Sequence, residues 1–467
     1  MLLLSGFAAT SAFAQPRPLP TCHPWQRCQQ LALEAAARGD GEGFHDLAWR
    51  TVQIGPSNNP ELLWLLARAQ SASGRPHDAL VLVRRLADMG VATTADTDSD
   101  FARTRDLPGW ADVAALLNAL RAARRERLVE STPVAEASRR AETRAPPGAV
   151  TSSPASPTAG ATTAAAAATA VAVSPTRVRD EPLRFLTSPF TAGGLAYDTV
   201  SRRFVVGDTH GRRVMVIGLD TGRAVDMVRS DSARFHDVAD IGIDQARGDL
   251  WVTSRQPGGE SALHRLQLIS GRPLRIYHPP AGAGSVQLGD LAIGPSGLVV
   301  VLDLRGRRLM TPTSSGLDLR VVTQLAVDPI SVTMLGDRVA LVAHPDGIVR
   351  VDVTTGATRD VSGPEGGATA GFERIRAYRD GLVGVQRTGH DTRRLVFLPL
   401  RRNGALAGVV SVLDVALPSA EGPPFLSVLD DEIAYLVTSM PVAATSGAPA
   451  APAGVSSVSV IHRLRLE

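Results

Sequence analysis

From Ser201 to Met227 the chain reads SRRFVVGDTHGRRVMVIGLDTGRAVDM, three short strands joined by tight turns. Residues 204–207 form a β-rich run, 208–212 a polar turn and 214–219 a second run, and Asp220-Thr221-Gly222 turns the chain into 224–228. β-Branched side chains fit a pleated surface and glycine supplies positive φ at a turn, so this is a meander of antiparallel strands. The same unit returns. Hairpin glycines stand at Gly222, Gly271, Gly316, Gly356 and Gly404, on average about 45 residues apart. Ahead of each lies a strand pair: 204–207 with 214–219, 250–253 with 263–268, 298–302 with 308–311, 339–343 with 348–353, and 382–386 with 395–400. Inner strands repeat as well, at 195–197, 241–243, 291–293, 332–334, 375–377 and 426–428. Six four-stranded units of this period predict a six-bladed β-propeller over residues 183–467, because radial repetition removes exposed sheet edges. The sixth unit lacks an outer strand after 458–466. Residues 183–187 are expected to supply it and so clasp the two ends of the domain.

Upstream the apolar period becomes helical. Leu31, Ala35 and Ala36 precede Gly39-Asp40, and Phe44, Leu47, Ala48 and Val52 run to Pro56. Leu62, Leu63, Leu66 and Ala69 then lead to Gly74, and Ala79, Val83 and Leu86 run on to Gly90. A helix over 108–128, with Trp110, Val113, Leu116, Leu117 and Leu120 on one face, caps the set together with Asp100-Phe101. Gly39-Asp40, Pro56-Ser57-Asn58 and Gly74 followed by Ala79 resemble the tetratricopeptide repeat, a helix–turn–helix unit of about 34 residues. Residues 24–128 are therefore identified as a short helical repeat module. The resemblance implies a concave face for a peptide or a neighbouring protein.

Between the two, composition breaks at Ser131. Ala145-Pro146-Pro147-Gly148 leads towards an Ala/Thr tract over 162–173. Such a segment buries too little apolar surface to offset its ordering entropy, which predicts a disordered linker over 129–182. A flexible chain of about 50 residues reaches roughly 40 Å, enough to tether two independent modules. The alanine tract is too short and too weakly apolar to cross about 30 Å of hydrocarbon, so no transmembrane helix is expected in the mature chain. The overall class is multidomain, α followed by all-β.

Residues 1–14 carry an apolar run and end Ala12-Phe13-Ala14, small residues where signal peptidase cuts, so an export signal and a periplasmic or extracellular location are expected. Cys22 and Cys28 follow it, the only cysteines in 467 residues. They read as a local disulfide, which an oxidising compartment favours, or as two free thiols. With His23 they offer three soft ligands where a closed metal site takes four. All 49 basic residues are arginine, dispersed among 46 acids, and aromatics are 4% of the chain. That excludes the basic, aromatic-studded face a nucleic acid needs.

Two runs, LAIGPSGLVVVLD from Leu291 and IGIDQARGDLWVT from Ile241, resemble blades of NHL-repeat and gluconolactonase-like propellers. The resemblance implies, for catalytic members, a divalent metal held in the axial channel by Glu, Asn and Asp. Here the first blade opens on Thr191-Ala192-Gly193-Gly194, where the family has Glu-Gly-Pro, and the domain's only Asn is Asn403, in a hairpin turn. What remains at the predicted channel mouth is acidic: Asp240, Asp290 and Glu373 before inner strands, with His236 nearby. Together they offer a weak cation or polar-ligand site, or they accept turn N–H groups. His210, His344 and His390 are expected in exposed turns. No complete catalytic set is present, and no resident cofactor is implied beyond a divalent cation in the channel. The sequence thus points to an exported, non-catalytic binding or scaffold protein with a protein or peptide partner. The alternative is a divergent metal-dependent lactonase or hydrolase.

Overall fold

The computed structural model describes residues 21–141 and 177–466, except 189, 220, 362–368, 390–391, 402–409, 418–423, 429–431 and 442–456. The expected export signal, most of the expected linker, His390, Asn403 and Gly404 lie outside the described residues.

Helices α1 (Trp25–Ala37) and α2 (Gly41–Ile54) form one hairpin, α3 (Pro60–Ala72) and α4 (Pro76–Asp88) a second, and α2 packs on α3. Local chemistry sets the ends. Asp40 accepts the Gly43 N–H at 2.9 Å at the start of α2, and Asn59 accepts from Glu61 and Leu62 at the start of α3, satisfying amides that lack an intrahelical partner. Gly39 and Gly74 take positive φ in the two turns, a conformation other residues resist. Phe44, Ala48, Leu63, Leu66, Leu82 and Leu86 are buried between the hairpins. A 3-10 turn (Ser99–Phe101), α5 (Ala102–Arg105) and α6 (Trp110–Ala141) close the end, with Phe101 stacked on Trp64 at 4.9 Å. Of the expected α6 face, Val113 and Leu117 are buried but Leu116 stays 37% exposed at the rim. Cys22 and Cys28 are joined as a disulfide with their Cα atoms 5.3 Å apart.

Described structure adjoins the expected linker at both ends. Helix α6 continues through Ala141, past residue 128, because Ala, Glu and Arg propagate a helix well enough to carry the segment beyond Ser131. A strand already forms at Arg177–Arg179, and Asp180 ion-pairs with Arg463 and Arg465.

Each of five blades is a four-stranded antiparallel meander. Their inner strands are Ala192–Asp198, Asp237–Asp244, Leu288–Ile293, Ser331–Leu335 and Phe372–Tyr378. The sixth is built from Phe425–Val428, Glu432–Pro441 and Ser457–Leu466, and Leu183–Thr187 completes it by pairing with the last strand, Leu183 opposite Ile461. Arg177–Arg179 pairs further along the same strand. The six inner strands contact one another in a closed circle, blade 6 meeting blade 1. Gly222, Gly271 and Gly356 take positive φ in their hairpins, whereas Gly316 does not. Strand interiors such as Val299–Asp303 are buried throughout, since both faces of a blade are covered by neighbours.

The helical module does not hang free. It sits on the ring's face where the inner and second strands of blades 1 and 2 turn. The Trp49 indole N–H and the Gln53 side-chain amide both donate to the Gln245 carbonyl. Asp78 accepts the Ser270 N–H at 3.2 Å, and Arg85 donates to the Val200 carbonyl at 3.4 Å. A continuous apolar core runs from Trp49 and Leu86 to Val200, Leu268 and Ile269. At Gly248 a Cβ would lie 2.8 Å from the Trp49 ring, so only glycine admits that ring. The expectation of two independent modules is corrected accordingly. A helix's period shows which face is apolar but not what covers it.

Candidate functional site

The axial channel is walled by all six inner strands, from Ala196 and Gly242 around to Arg376 and Ser427, and encloses about 220 Å³. It opens on the turn side into a mouth of about 430 Å³ lined by Gln245, Pro295, Gly336 and Arg379.

Polar side chains on the inner strands form a stair from blade to blade. Asp240 in blade 2 accepts the Leu291 N–H of blade 3 at 3.1 Å. Asp290 in blade 3 accepts the Val332 N–H of blade 4 at 2.8 Å. In blade 4, Ser331 accepts the Ile375 N–H of blade 5 at 3.1 Å and Thr333 that of Ala377 at 2.8 Å. The two aspartates therefore do accept backbone amides, but those of the next blade and not of their own turns.

At the centre of this stair sits a guanidinium. Arg376 donates to both oxygens of Asp290, at 3.0 and 2.8 Å, and to Asp240 at 3.3 Å. Arg374 reaches Asp290 at 3.3 Å and lies 4.0 Å from the centre of the Phe425 ring in blade 6. The Ser331 hydroxyl also donates to Asp290. Five blades are thus tied by one network. Burial, and then the neighbouring charge of Asp290, pushes the Asp240 carboxyl well above the usual carboxylate range. Burial pushes Asp290 the same way, but Arg376 and Arg374 outweigh it and hold that carboxyl well below. Of the pair, Asp240 therefore holds its proton more strongly and Asp290 gives it up first.

A divalent cation needs several converging oxygen donors. Here Arg376 takes the place between the two carboxylates. Both oxygens of Asp290 and one of Asp240 already accept hydrogen bonds, and only Asp240 Oδ1 has no partner. One unpartnered oxygen beside a guanidinium does not supply the converging donors such an ion needs, so the residues present do not fit the metal that the family resemblance implies.

The remaining expected site residues lie elsewhere. Glu373 falls in the register shift between Phe372 and Arg374 and faces its own blade, binding Arg387 and Arg393, each at 2.6 Å. His236 is partly exposed and stands 3.6 Å from Glu260. Of Asp240, Asp290, Glu373 and His236, only the first two come together. His210 is exposed as expected, but His344 is buried. Arg374 and Arg376 went unremarked in the sequence. Their signal was an Arg-Ile-Arg alternation in a strand whose counterparts in blades 2 to 4 carry Asp, Asp and Ser where Arg374 stands, and Gly, Ala and Thr where Arg376 stands. A further set, Glu42, His45 and Asp46 on α2, brings three ligand-type atoms within 4.8 Å, but Arg75 already holds Glu42 at 3.0 Å.

No protein-family model matches the chain, and no curated protein matches it either. Among solved structures it is similar to a gluconolactonase from Xanthomonas campestris, at 14% identity and TM-score 0.40, over 61% of this chain and 89% of that one. It is similar to virginiamycin B lyase from Staphylococcus aureus at 14% identity and TM-score 0.39, over 62% of this chain and 100% of that one. It is also similar to a chain of a nidogen/laminin complex at 13% identity and TM-score 0.40, over 52% and 86%. Among the described residues, no helix is long and apolar enough to cross a membrane.

Proposed function

We propose that the chain is an exported, non-catalytic binding or scaffold protein, whose tetratricopeptide-like hairpins and propeller together present one composite surface to a protein or peptide partner. The observation that carries this reading is Arg376. A guanidinium bonded to Asp290 and Asp240 in the channel makes a structural tie of the carboxylates that a catalytic ion would otherwise use. The docking of α2 and α4 on blades 1 and 2 supports the composite surface, because a fixed angle between modules lets one partner touch both.

Metal analysis of the purified chain, with and without Asp240→Ala and Asp290→Ala, tests the non-catalytic half. Stoichiometric calcium or zinc that either substitution removes would favour the divergent lactonase instead. Affinity capture from an envelope fraction tests the binding half. A stable partner retained by the whole chain and lost on Trp49→Ala supports a composite surface, and recovery of no partner counts against it.

A further inference from the structure

Between blades 2 and 3, on the face of the ring that carries the helices, lies a cleft of about 400 Å³. Strand register builds one wall: Trp251 stands opposite Arg265, and Arg265 opposite Arg275, so an indole and two guanidiniums share one row across the sheet. The Arg265 guanidinium lies 5.7 Å from the centre of the Trp251 ring, and Trp251 stacks on Tyr277, also at 5.7 Å. Leu298 and Val299 of blade 3 face this row.

The charges in the cleft do not balance. Arg247 pairs with Asp244 at 3.2 Å and Arg265 with Asp249 at 2.6 Å. Arg275 is exposed and has no carboxylate partner among the described residues. Three guanidiniums thus meet two carboxylates. Trp251 is only 5% exposed, and its indole N–H has no acceptor. An unpaired cation, an unmet donor and an aromatic floor in one cavity of ligand size are the features of a small-molecule site.

We propose that this inter-blade cleft binds a small organic carboxylate, with Arg275 gripping the carboxylate and Trp251, Tyr277 and Leu298 covering the apolar body. A carboxylate fits better than a phosphate because one unmatched guanidinium neutralises one charge, and its planar fork matches two coplanar oxygens. The cleft is separate from the channel network and does not depend on the reading of the helical module.

Calorimetric titration of the full chain with benzoate, acetate and the uncharged benzamide tests the proposal. Benzoate should bind saturably at one site, acetate more weakly, and benzamide not at all. Arg275→Ala should weaken benzoate about tenfold or more without changing thermal stability, since the side chain is exposed. Arg272→Ala, an exposed arginine outside the cleft, should leave affinity unchanged. The proposal fails if benzoate shows no saturable binding at millimolar concentration, if benzamide binds as well, or if the two arginine variants behave alike.

Discussion

Aspartate–arginine pairs occur in two settings in this ring, and they do different work. At the hairpins, Asp198 with Arg203, Asp208 with Arg213 and Asp303 with Arg308 are each five residues apart. One carboxylate oxygen accepts turn amides, such as Gly306 N–H at 3.0 Å, and the other accepts the arginine Nε, at 2.8 Å for Arg308. Each bracket closes its own turn, and its arginine reaches nearby groups as well, Arg203 the Leu268 and Ile269 carbonyls of blade 2 and Arg308 the Ala283 carbonyl. In the channel the partners are 86 and 136 residues apart, and Arg376 joins blade 5 to blades 3 and 2. The same chemistry therefore fixes local geometry in one place and ring closure in the other. Exposure does not separate the two settings, since Arg308 and Arg376 are 14% and 15% exposed and Asp303 and Asp290 are 0% and 1%; what differs is the span of chain each pair ties together.

The strongest test removes the channel cation. Arg376→Met leaves Asp290 buried and short of its main partner, so urea denaturation should show a loss of about 3–5 kcal/mol. Adding Asp290→Asn should restore a good part of it, because the uncompensated charge disappears. A loss no larger than that of a hairpin variant would erase the distinction. That hairpin variant, Asp303→Ala, should cost about 2 kcal/mol in the same measurement, since its bonds are charge-assisted but its arginine can turn to solvent.

Acid should separate the regions as well. Asp290 stays ionised well below pH 4, and the raised Asp240 carboxyl holds its proton more strongly in the folded chain than in the unfolded one, so acid does not weaken the channel between pH 7 and 5. His264, between Phe235 and Ser254, has its pKa lowered to about 4, chiefly by burial. Below pH 6.5 the unfolded chain takes up a proton that the folded chain refuses, so this contribution is lost as pH falls from 6.5 towards 4. At pH 5 it amounts to about 2 kcal/mol relative to pH 7. Asp78, at the helix–propeller contact, has its pKa raised to about 6, chiefly by burial, and works in the opposite sense. Between about pH 4 and 6 the folded chain holds the extra proton, so acid strengthens docking, by about 1 kcal/mol from pH 7 to 5. Asp78→Asn should therefore steepen the acid loss, and His264→Gln should abolish or reverse it, as read from denaturation midpoints at the two pH values. The smallest effect is expected at a pair that belongs to neither setting. Arg307 and Asp328 are both more than half exposed, and Arg307→Ala should cost less than about 1 kcal/mol.

Much of the ring was legible because its signals are local. Alternating Val and Ile between Gly and Asp marked the strands, a fixed period counted the blades, and the missing outer strand of blade 6 pointed back to Leu183. The hairpin brackets were legible in principle as well, since Asp and Arg five apart across a turn share one stretch of sequence. The channel network was not. Asp240 and Asp290 were singled out by their place before inner strands, but nothing near them in the chain announces Arg376, which arrives from another blade. Glu373 holds the same nominal place, yet one shift in register turns it to its own blade's arginines.

Period, turn chemistry and composition set the count of blades, the helical hairpins and the clasp, because each depends on neighbours a few residues away or on a repeat that can be counted. Ring closure alone decided that a guanidinium lies between the two channel carboxylates, that Trp49 seals the helices against Gly248, and that Trp251, Arg265 and Arg275 line one cleft. Those contacts join residues far apart in the chain, and side-chain identity fixes what each group can bind but not which group is brought to it.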